Sequence, residues 1–266
     1  MQNVEKEVVA LYGKLWQEID SIRTPAIMSQ FLANVALPQD WFENKVCLDV
    51  GSGSGFAVWV LQQLGATCHA CDLGFDSLRR ARKHLSGNGA GGLWVHASAL
   101  ELPYGSRAFD FVHCNGVLHH TRDPRQGFAE LARVTRPGGT LFVGLYGKGG
   151  LYNAALRLGR SAASVIPYQW TEAAITPLLR GCRVPHSFMP AKISVLDNLY
   201  VPIRQRFREE EIHRWFVAAG FEDVIRTKTT IYDHQKKLNR LIHGEGYLQL
   251  RGRKATKERC SATTSL

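Results

Sequence analysis

Three alternating glycines follow an apolar run and an aspartate in the stretch Val46-Cys47-Leu48-Asp49-Val50-Gly51-Ser52-Gly53-Ser54-Gly55-Phe56. Such an apolar run is typical of a buried parallel strand, and the glycines let the turn after it approach a ligand closely. A dinucleotide fingerprint, G-x-G-x-x-G, would need a glycine where this chain has Phe56. The Gly-Lys-Ser/Thr of a phosphate-binding loop is also missing. The spacing therefore favours a nucleoside ligand that has no pyrophosphate.

A second acid, Asp72, ends the next predicted strand within Ala66-Thr67-Cys68-His69-Ala70-Cys71-Asp72-Leu73. It lies about 20 residues beyond the glycine turn, the interval at which a βαβ unit presents a carboxylate to a ribose. A carboxylate can accept a hydrogen bond from each of the two ribose hydroxyls. The alternative is that Asp72 is an acid at a helix N-terminus, where the helix dipole favours it.

The elements that position these residues alternate between strands and helices, which predicts an open parallel sheet with helices on both faces. The predicted strands cover residues 45–50, 67–71, 92–96, 109–114, 140–146, 222–231 and 247–253. The predicted helices cover residues 55–64, 75–85, 125–135 and 208–219. Two segments fall outside this core and show helical spacing of apolar residues, namely residues 8–37 and parts of a long insertion at 148–205.

We expect a single domain over residues 1–266, with a helical cap at 1–40, core at 41–147 and 206–254, an insertion at 148–205, and a loose tail at 255–266. No apolar run is long enough to cross a bilayer and no signal peptide is evident, so we expect a cytoplasmic protein with no membrane partner. The six cysteines suggest reduced thiols, and the lone Cys68-x-x-Cys71 pair has no second pair with ligand spacing, so we expect no metal.

The net charge of +10 is concentrated at the C-terminal end, where ten basic and three acidic side chains give residues 226–266 a charge of +7. A basic region of this kind can bind nucleic acid. These charges are not interleaved with aromatic residues, so ordinary solvation of the surface is the favoured interpretation and nucleic-acid binding the alternative.

Further motifs occur in a fixed order: Leu102-Pro103-Tyr104, Ala108-Phe109-Asp110-Phe111-Val112, Gly116-Val117-Leu118-His119-His120-Thr121-Arg122-Asp123-Pro124 and Arg136-Pro137-Gly138-Gly139-Thr140. With the glycine turn, they resemble the class I S-adenosylmethionine-dependent methyltransferases, in their small-molecule branch (methyltransferase type 11). The resemblance is strong over residues 40–146 and weaker over 208–223 and 248–254. It implies a Rossmann-like seven-stranded sheet with helices on both faces and a helical lid inserted after strand five.

The resemblance also implies a binding site for S-adenosylmethionine, with S-adenosylhomocysteine as product. Its expected residues are Asp49, Gly51, Ser52, Gly53, Gly55, Asp72, Leu73, Ser98, Ala99, Leu100, Asn115 and Gly116. Within this set Asp72 would bind the ribose and Leu73 would cover the adenine. Ser98 stands where the family often has an acid, so its contact with the adenine amino group would lack charge assistance.

Candidates for a general base are His120, His119 and Tyr146, which follow strands four and five where the acceptor is expected. A Leu-His-His-Thr stretch is common in the family whatever the acceptor, so a scaffold role is the alternative for the histidines. The acceptor pocket is expected to include Tyr12, Trp16, Asp197 and Tyr200, although the same spacing fits core aromatics and a turn.

The expected function is methyl transfer to a small organic acceptor. The alternatives are an RNA methyltransferase, suggested by the basic end, and a non-catalytic module that only binds S-adenosylmethionine. An NAD-linked oxidoreductase is disfavoured by Phe56.

Overall fold

The computed structural model describes residues 3–15, 25–85, 92–163, 165–182, 191–227 and 237–256. Its seven strands form one sheet in the order β3-β2-β1-β4-β5-β7-β6. The strands are β1 (Val46–Val50), β2 (Thr67–Asp72), β3 (Trp94–His96), β4 (Phe109–Asn115), β5 (Thr135–Tyr146), β6 (Phe221–Arg226) and β7 (Tyr247–Lys254). The predicted seven-stranded, Rossmann-like sheet is therefore confirmed.

The prediction of a wholly parallel sheet is wrong at β7, which runs antiparallel to both β5 and β6. This strand lies between them, so that Tyr247 faces the end of β5 at Tyr146 and Arg253 faces Thr140. Because β7 is antiparallel to β6, the chain can pass from β6 to β7 without a connection that crosses over the sheet. The apolar pattern of a buried strand is the same in either direction, which is why the sequence did not reveal it.

Ten helices occur in the described ranges. They are α1 (Asn3–Leu15), α2 (Pro25–Val35), α3 (Phe56–Gln63), α4 (Phe75–Leu85), α5 (Pro124–Val134), α6 (Leu151–Ala163), α7 (Tyr168–Leu179), α8 (Ala191–Tyr200), α9 (Glu209–Ala218) and α10 (Lys237–His243). The four core helices α3, α4, α5 and α9 lie where the pattern predicted them. Sequence analysis did not predict α8, α10 or the two short 3-10 helices at Gln39–Phe42 and Leu118–His120.

The two faces of the sheet carry separate apolar cores. Helices α5 and α9 cover one face, and α2, α3 and α4 cover the other. Alternation along the strands divides their side chains between the two cores, as in β1, where Leu48 and Val50 enter the first core and Cys47 the second. Helices on both faces of the sheet are thus confirmed.

A third, smaller cluster joins the two segments outside the core. It consists of Leu15 at the end of α1 with Ile193 and Leu196 of α8, and half-buried Leu11, Tyr12, Tyr168, Ile175 and Tyr200 pack against it. The N-terminal cap and the insertion therefore pack against one another. In the described part of the chain, the helices lack the combination of length and apolar character that crossing a bilayer requires.

Candidate functional site

The glycine turn after β1 has a backbone that only glycine adopts easily. Gly51, Gly53 and Gly55 have φ of +73°, +49° and +75°. The amide N–H groups of Gly51 and Ser52 both donate to the carbonyl of Cys71 in β2, at 2.7 and 3.1 Å. A Cβ on Gly51 would come within 2.2 Å of the Val117 side chain. The turn is therefore bent and closely packed, as its spacing predicted.

Asp72 holds this turn from the end of β2. Its two carboxylate oxygens accept the backbone N–H groups of Gly53, at 2.7 Å, and Gly74, at 2.6 Å. Burial raises the pKa of Asp72, while these two hydrogen bonds act in the opposite direction. Each carboxylate oxygen has a second lone pair, so the group can still accept hydrogen bonds from a ligand.

Asp49 is a cross-strand partner of His113. The two residues face each other in the β1–β4 register, and Nδ1 of His113 donates to Asp49 Oδ1 at 2.8 Å. Both side chains are buried. Sequence reasoning missed His113, although a histidine in an apolar strand next to a strand carrying an acid is a signal that could have been used.

A cavity opens where the carboxyl ends of β1, β2 and β4 meet, which is where such sheets bind ligands. It is lined by Glu5, Val8, Val9, Tyr12, Gly51, Asp72, Leu73, Gly74, Ser77, Ala97, Ser98, Ala99, Asn115, Gly116, Val117, His120 and Thr121. Nine predicted site residues are in this lining: Tyr12, Gly51, Asp72, Leu73, Ser98, Ala99, Asn115, Gly116 and His120. The predicted residues Asp49, Ser52, Gly53, Gly55 and Leu100 are not among the residues that line it.

Two polar side chains of the lining already have partners within the protein. The hydroxyl of Ser98 accepts the backbone N–H of Leu100 at 3.1 Å, which fixes the turn after β3. Asn115 accepts the hydroxyl of Tyr247 at 2.8 Å through its side-chain oxygen. Tyr247, on the antiparallel strand β7, is a site neighbour that the sequence analysis did not single out.

Beside the cavity, four side chains from distant segments form one hydrogen-bonded cluster. The hydroxyl of Tyr12 lies 2.7 Å from Nε2 of His120 and 2.5 Å from Oδ1 of Asp197. Tyr146, at the end of β5, donates to the other carboxylate oxygen of Asp197. Nδ1 of His120 donates to the carbonyl of Ile203 at 2.7 Å. Sequence analysis named all four side chains separately, and the structure brings them together.

Of the remaining predicted residues, His119, Tyr146, Asp197 and Tyr200 do not line the cavity. His119 is 1% exposed and packs on Tyr146 with 3.9 Å between ring centroids. Its Nδ1 accepts the N–H of Tyr146 at 3.3 Å, and its buried Nε2 has no hydrogen-bond partner among the described residues. The hydroxyl of Tyr200 joins Thr171 and the carbonyl of Ile166 within the insertion. Trp16 falls outside the described residues.

Two arginines near this cluster were also missed. Arg204 and Arg206 approach the ring of Tyr146 at 4.5 and 5.7 Å. They follow α8 in a segment with no periodic pattern, so nothing in the sequence indicated that they return to the site.

The basic residues of β7 lie at the opposite rim of the sheet. Because β7 is antiparallel, its end faces the beginning of β5, away from the cavity. Arg253 pairs with Glu222 and Asp223, and Lys254 donates to the carbonyls of Ala132 and Thr135. These two side chains serve the packing of the sheet edge and do not flank the candidate site, so the described charges of β7 give no support to an RNA substrate.

A second cleft contains none of the predicted site residues. Its walls are almost entirely charged, and Arg226 there pairs with Glu209 at 2.6 Å. The lining consists of Arg208, Glu209, Glu210, Glu211, His213, Arg214, Arg226, Arg240, Gly244 and Glu245. The cavity at the strand ends is the better candidate, because it combines apolar walls with a few convergent polar groups. Within the described ranges, no three His, Cys, Asp or Glu side chains are grouped so as to hold a metal ion.

Comparisons with known proteins find similarity to methyltransferases. A family model described as a methyltransferase domain matches residues 48–143. The chain is 33% identical over 105 residues to a demethylmenaquinone methyltransferase of Thermobifida fusca, covering 39% of this chain and 44% of the relative. It is 28% identical over 145 residues to a ubiquinone biosynthesis O-methyltransferase of Saccharophagus degradans, covering 53% and 61%. The chain thus spans about half the length of these curated relatives.

Among solved structures, the chain resembles the 1,6-didemethyltoxoflavin-N1-methyltransferase of Burkholderia thailandensis, which was determined with 1,6-didemethyltoxoflavin and S-adenosylhomocysteine bound. The TM-score is 0.54 at 16% identity, over 96% of this chain and 92% of that one. At this identity the likeness shows a common fold.

Proposed function

The chain belongs to the class I S-adenosylmethionine-dependent methyltransferases, and from this premise we propose that it transfers the methyl group of S-adenosylmethionine to a small organic acceptor. When bound, S-adenosylmethionine supplies a methyl group that its sulfonium already makes electrophilic. The protein's task is to bind both molecules, hold them in line and keep water out. Orientation of this kind can contribute about 7–11 kcal/mol to lowering a reaction barrier.

The observation that carries the proposal is the bent glycine turn held by Asp72 at the edge of the cavity. A Cβ at Gly51 would clash with the Val117 side chain, so the bent turn requires glycine at this position. Asp72 keeps free lone pairs on a carboxylate that its own backbone contacts have already oriented. This combination fits a ribose, while the missing third glycine of the dinucleotide pattern disfavours a pyrophosphate.

Within this proposal each part of the lining has a role. Gly51, Ser52, Gly53 and Gly55 bring the backbone close to the methionine and ribose portions, and Asp49 braces the turn through His113. Leu73, Ser98, Ala99 and Leu100 form the adenine side, and Asn115 and Gly116 flank the methionine end. His120 is the candidate base because, unlike His119 and Tyr146, it lines the cavity.

A small acceptor is supported by the way the cavity is closed. Helix α1 contributes Glu5, Val8, Val9 and Tyr12 to the lining, so the wall opposite the sheet is partly apolar and close to the turn. Such a pocket suits a compact, partly apolar molecule. The curated relatives named above act on compounds of quinone biosynthesis, according to their names, which is consistent with this class.

The direct test is calorimetric binding of S-adenosylmethionine to the Asp72→Ala variant. We expect at least a tenfold loss of affinity, because the variant lacks the ribose acceptor and loosens the turn at Gly53. Asp76→Ala is the matched control, since this carboxylate is exposed on α4 and pairs only weakly with Arg79. Its affinity should stay within about twofold of the wild type.

Unchanged affinity in a folded Asp72→Ala protein would remove Asp72 from the site. A wild-type protein that binds S-adenosylmethionine but transfers no methyl group to any of a broad panel of small acceptors would favour the non-catalytic module instead.

A further inference from the structure

The hydrogen bonds around Tyr12 need one more proton than the neutral side chains of Tyr12 and His120 supply. The carbonyl of Ile203 can only accept, so Nδ1 of His120 carries a proton and Nε2 of the neutral ring presents a lone pair. The Tyr12 hydroxyl has a single proton, yet it lies within hydrogen-bond distance of two acceptors, Nε2 and Asp197 Oδ1. One additional proton, on Nε2 of His120, gives each of these contacts a hydrogen.

Burial shifts the pKa values of the side chains in this cluster and so determines which of them are protonated. The pKa of Tyr12 is raised well above its ordinary value by burial and then by Asp197, and burial and Asp197 likewise raise the pKa of Tyr146, so both tyrosines keep their protons. Burial lowers the pKa of His120, although Asp197 and the Ile203 carbonyl act against it. The resting cluster therefore contains neutral His120 and has a vacant place for a proton.

Several other groups face this cluster from the elements packed around it. Arg204 and Arg160 lower the pKa of His120, while Tyr146 occupies the second oxygen of Asp197. His119 and His120 lie side by side with ring centroids 4.2 Å apart. Among the described residues these groups are Tyr12 from α1, His119 from the 3-10 helix, Tyr146 from β5, Arg160 from α6, Asp197 from α8, Arg204 and Arg206 from the segment after α8, and Tyr247 from β7.

We propose that Tyr12, His120 and Asp197 form a proton-accepting relay that selects an acceptor with an acidic hydroxyl, phenolic or enolic, for methylation on oxygen. This inference rests on the proposed methyl transfer and specifies its acceptor. Tyr12 and His120 both line the cavity, so the relay is open to a bound molecule. Asp197 holds Tyr12 by a hydrogen bond and lies 3.7 Å from Nε2 of His120, so it is a positioning residue.

The step balances without any other reactant. The acceptor oxygen forms a bond to the methyl carbon while the carbon–sulfur bond of the sulfonium breaks, its electron pair remaining on sulfur as a neutral sulfide. The hydroxyl proton of the acceptor passes to the Tyr12 oxygen while the Tyr12 proton passes to Nε2 of His120, so the relay then holds the one proton that it lacked. A later exchange with water returns the relay to its resting state.

The chemistry of the base explains why the acceptor is an acidic hydroxyl. A carboxylate needs no base, and a neutral amine attacks through its lone pair and loses its proton afterwards. A hydroxyl must release its proton as its oxygen bonds to carbon, so it gains most from a base placed beside it. A hydroxyl of lower pKa gives its proton to a neutral histidine more readily, so a phenol or an enol is better matched to this base than an aliphatic alcohol.

The relay can be tested through the protonation of His120 itself, followed by NMR of the full-length protein labelled with ¹⁵N-histidine in saturating S-adenosylhomocysteine. In Asp197→Asn and in Tyr12→Phe we expect the midpoint of the His120 titration (the His120 midpoint) to fall by at least about one pH unit, which is a tenfold loss of proton affinity. The reason is that the first variant removes the charge, and the second the oxygen, that stabilise protonated Nε2. Tyr104→Phe is the control, because it deletes another buried hydroxyl, one that has no hydrogen-bond partner in the described chain and should leave the midpoint in place.

A midpoint unchanged in both relay variants, or shifted equally by Tyr104→Phe, would overturn the relay. Should Asp197→Asn fail to fold, Tyr12→Phe, which removes one oxygen atom, carries the test alone. If the variants bind S-adenosylhomocysteine but the His120 midpoint does not move, the relay is refuted and the proposed function stands. If the wild type does not bind S-adenosylhomocysteine, the proposed function is refuted.

The acceptor class has its own measurement, the ionisation of 4-nitrocatechol followed by its absorbance in the presence of S-adenosylhomocysteine. Bound to the wild type, the phenol should ionise at a pH at least one unit lower than in free solution, a tenfold effect, and this shift should shrink in Asp197→Asn. Failure of the wild type to bind or ionise the phenol would overturn the assignment of a hydroxyl acceptor.

Discussion

The two halves of the candidate site are assembled in different ways. In the sheet half, Asp72 reaches Gly53 across a separation of 19 residues, through one βαβ unit. In the cap half, Tyr12 reaches His120 and Asp197 across separations of 108 and 185 residues. The first half therefore depends on local chain geometry, and the second depends on how the cap and the insertion dock against the sheet.

Their apolar support differs as well. The sheet half stands on two extensive cores, one on each face of the sheet. The cap half stands on three buried side chains, Leu15, Ile193 and Leu196, with half-buried neighbours. A small cluster stabilises less than a large one, so we expect the cap and insertion to open before the sheet unfolds.

The largest expected effect contrasts two leucines that are both fully buried, Leu48 of β1 and Leu196 of α8. Leu48→Ala should lower the free energy of global unfolding by about 2–5 kcal/mol, because it leaves a cavity in a core that cannot collapse. Leu196→Ala should change that global value by less than about 1 kcal/mol, because its cost falls on a local opening of α8. Urea unfolding measures the first quantity, and hydrogen exchange over residues 191–200 measures the second.

Equal loss of global stability in the two variants would show that the sheet and the cap unfold as one unit. Faster exchange in Leu196→Ala that is confined to residues 3–15 and 191–200 would sharpen the comparison.

The next effect concerns the shape of the sheet half. Gly51→Ala places a Cβ within 2.2 Å of Val117 at a φ of +73°, so the turn must move. We expect affinity for S-adenosylmethionine to fall at least a hundredfold, or about 2.7 kcal/mol, by calorimetry. Gly105→Ala is the matched control, since this exposed glycine has open space around its Cβ position and a backbone outside the left-handed region.

The relay should be intact in Gly51→Ala. If the His120 midpoint in that variant moved as far as it does in Tyr12→Phe, the two halves would be coupled through the turn, and the comparison between them would break down.

Much of the sheet half could be predicted from sequence because short-range patterns encode it. Apolar runs, the glycine spacing and Asp72 predicted the strands, the bend and the cavity edge, and the core helices followed from the alternation of strands and helices. The direction of β7 could not be predicted, because strand pairing is a long-range property. Nor could the pairing of Asp49 with His113, which depends on the register of two strands that are not consecutive in the chain.

The cap half shows the opposite result. Tyr12, His120, Tyr146 and Asp197 were each candidates on the basis of residue type and position, but nothing local to any of them indicated a shared cluster. Their contacts depend on the docking of α1 and α8, and α8 itself has no strong periodic pattern. Arg204 and Arg206 were missed for the same reason.

The smallest effect lies at His119, where the two halves meet between Tyr146 and His120. Its pKa is lowered well below the ordinary value, first by burial and then by His120, Arg204 and Arg206. A histidine whose folded-state pKa is depressed stabilises the fold fully above its unfolded pKa of about 6.5, and this stability is lost as the pH falls below that value. Each such group costs up to about 1.4 kcal/mol per pH unit, so unfolding free energy should decrease from pH 7 to pH 5.

His119→Asn keeps an acceptor near the Nδ1 position for the N–H of Tyr146 but cannot take up the proton, so its acid slope should be shallower than that of the wild type. His84→Asn is the control, because the His84 side chain is exposed in the folded protein and is therefore not desolvated by folding. The slope is measured by urea unfolding at successive pH values. If the slope were unchanged in His119→Asn, protonation of His119 would not be the cause of the loss of stability in acid. The neighbouring His120 would then be the group that takes up the proton, and the acid sensitivity would belong to the cap half alone.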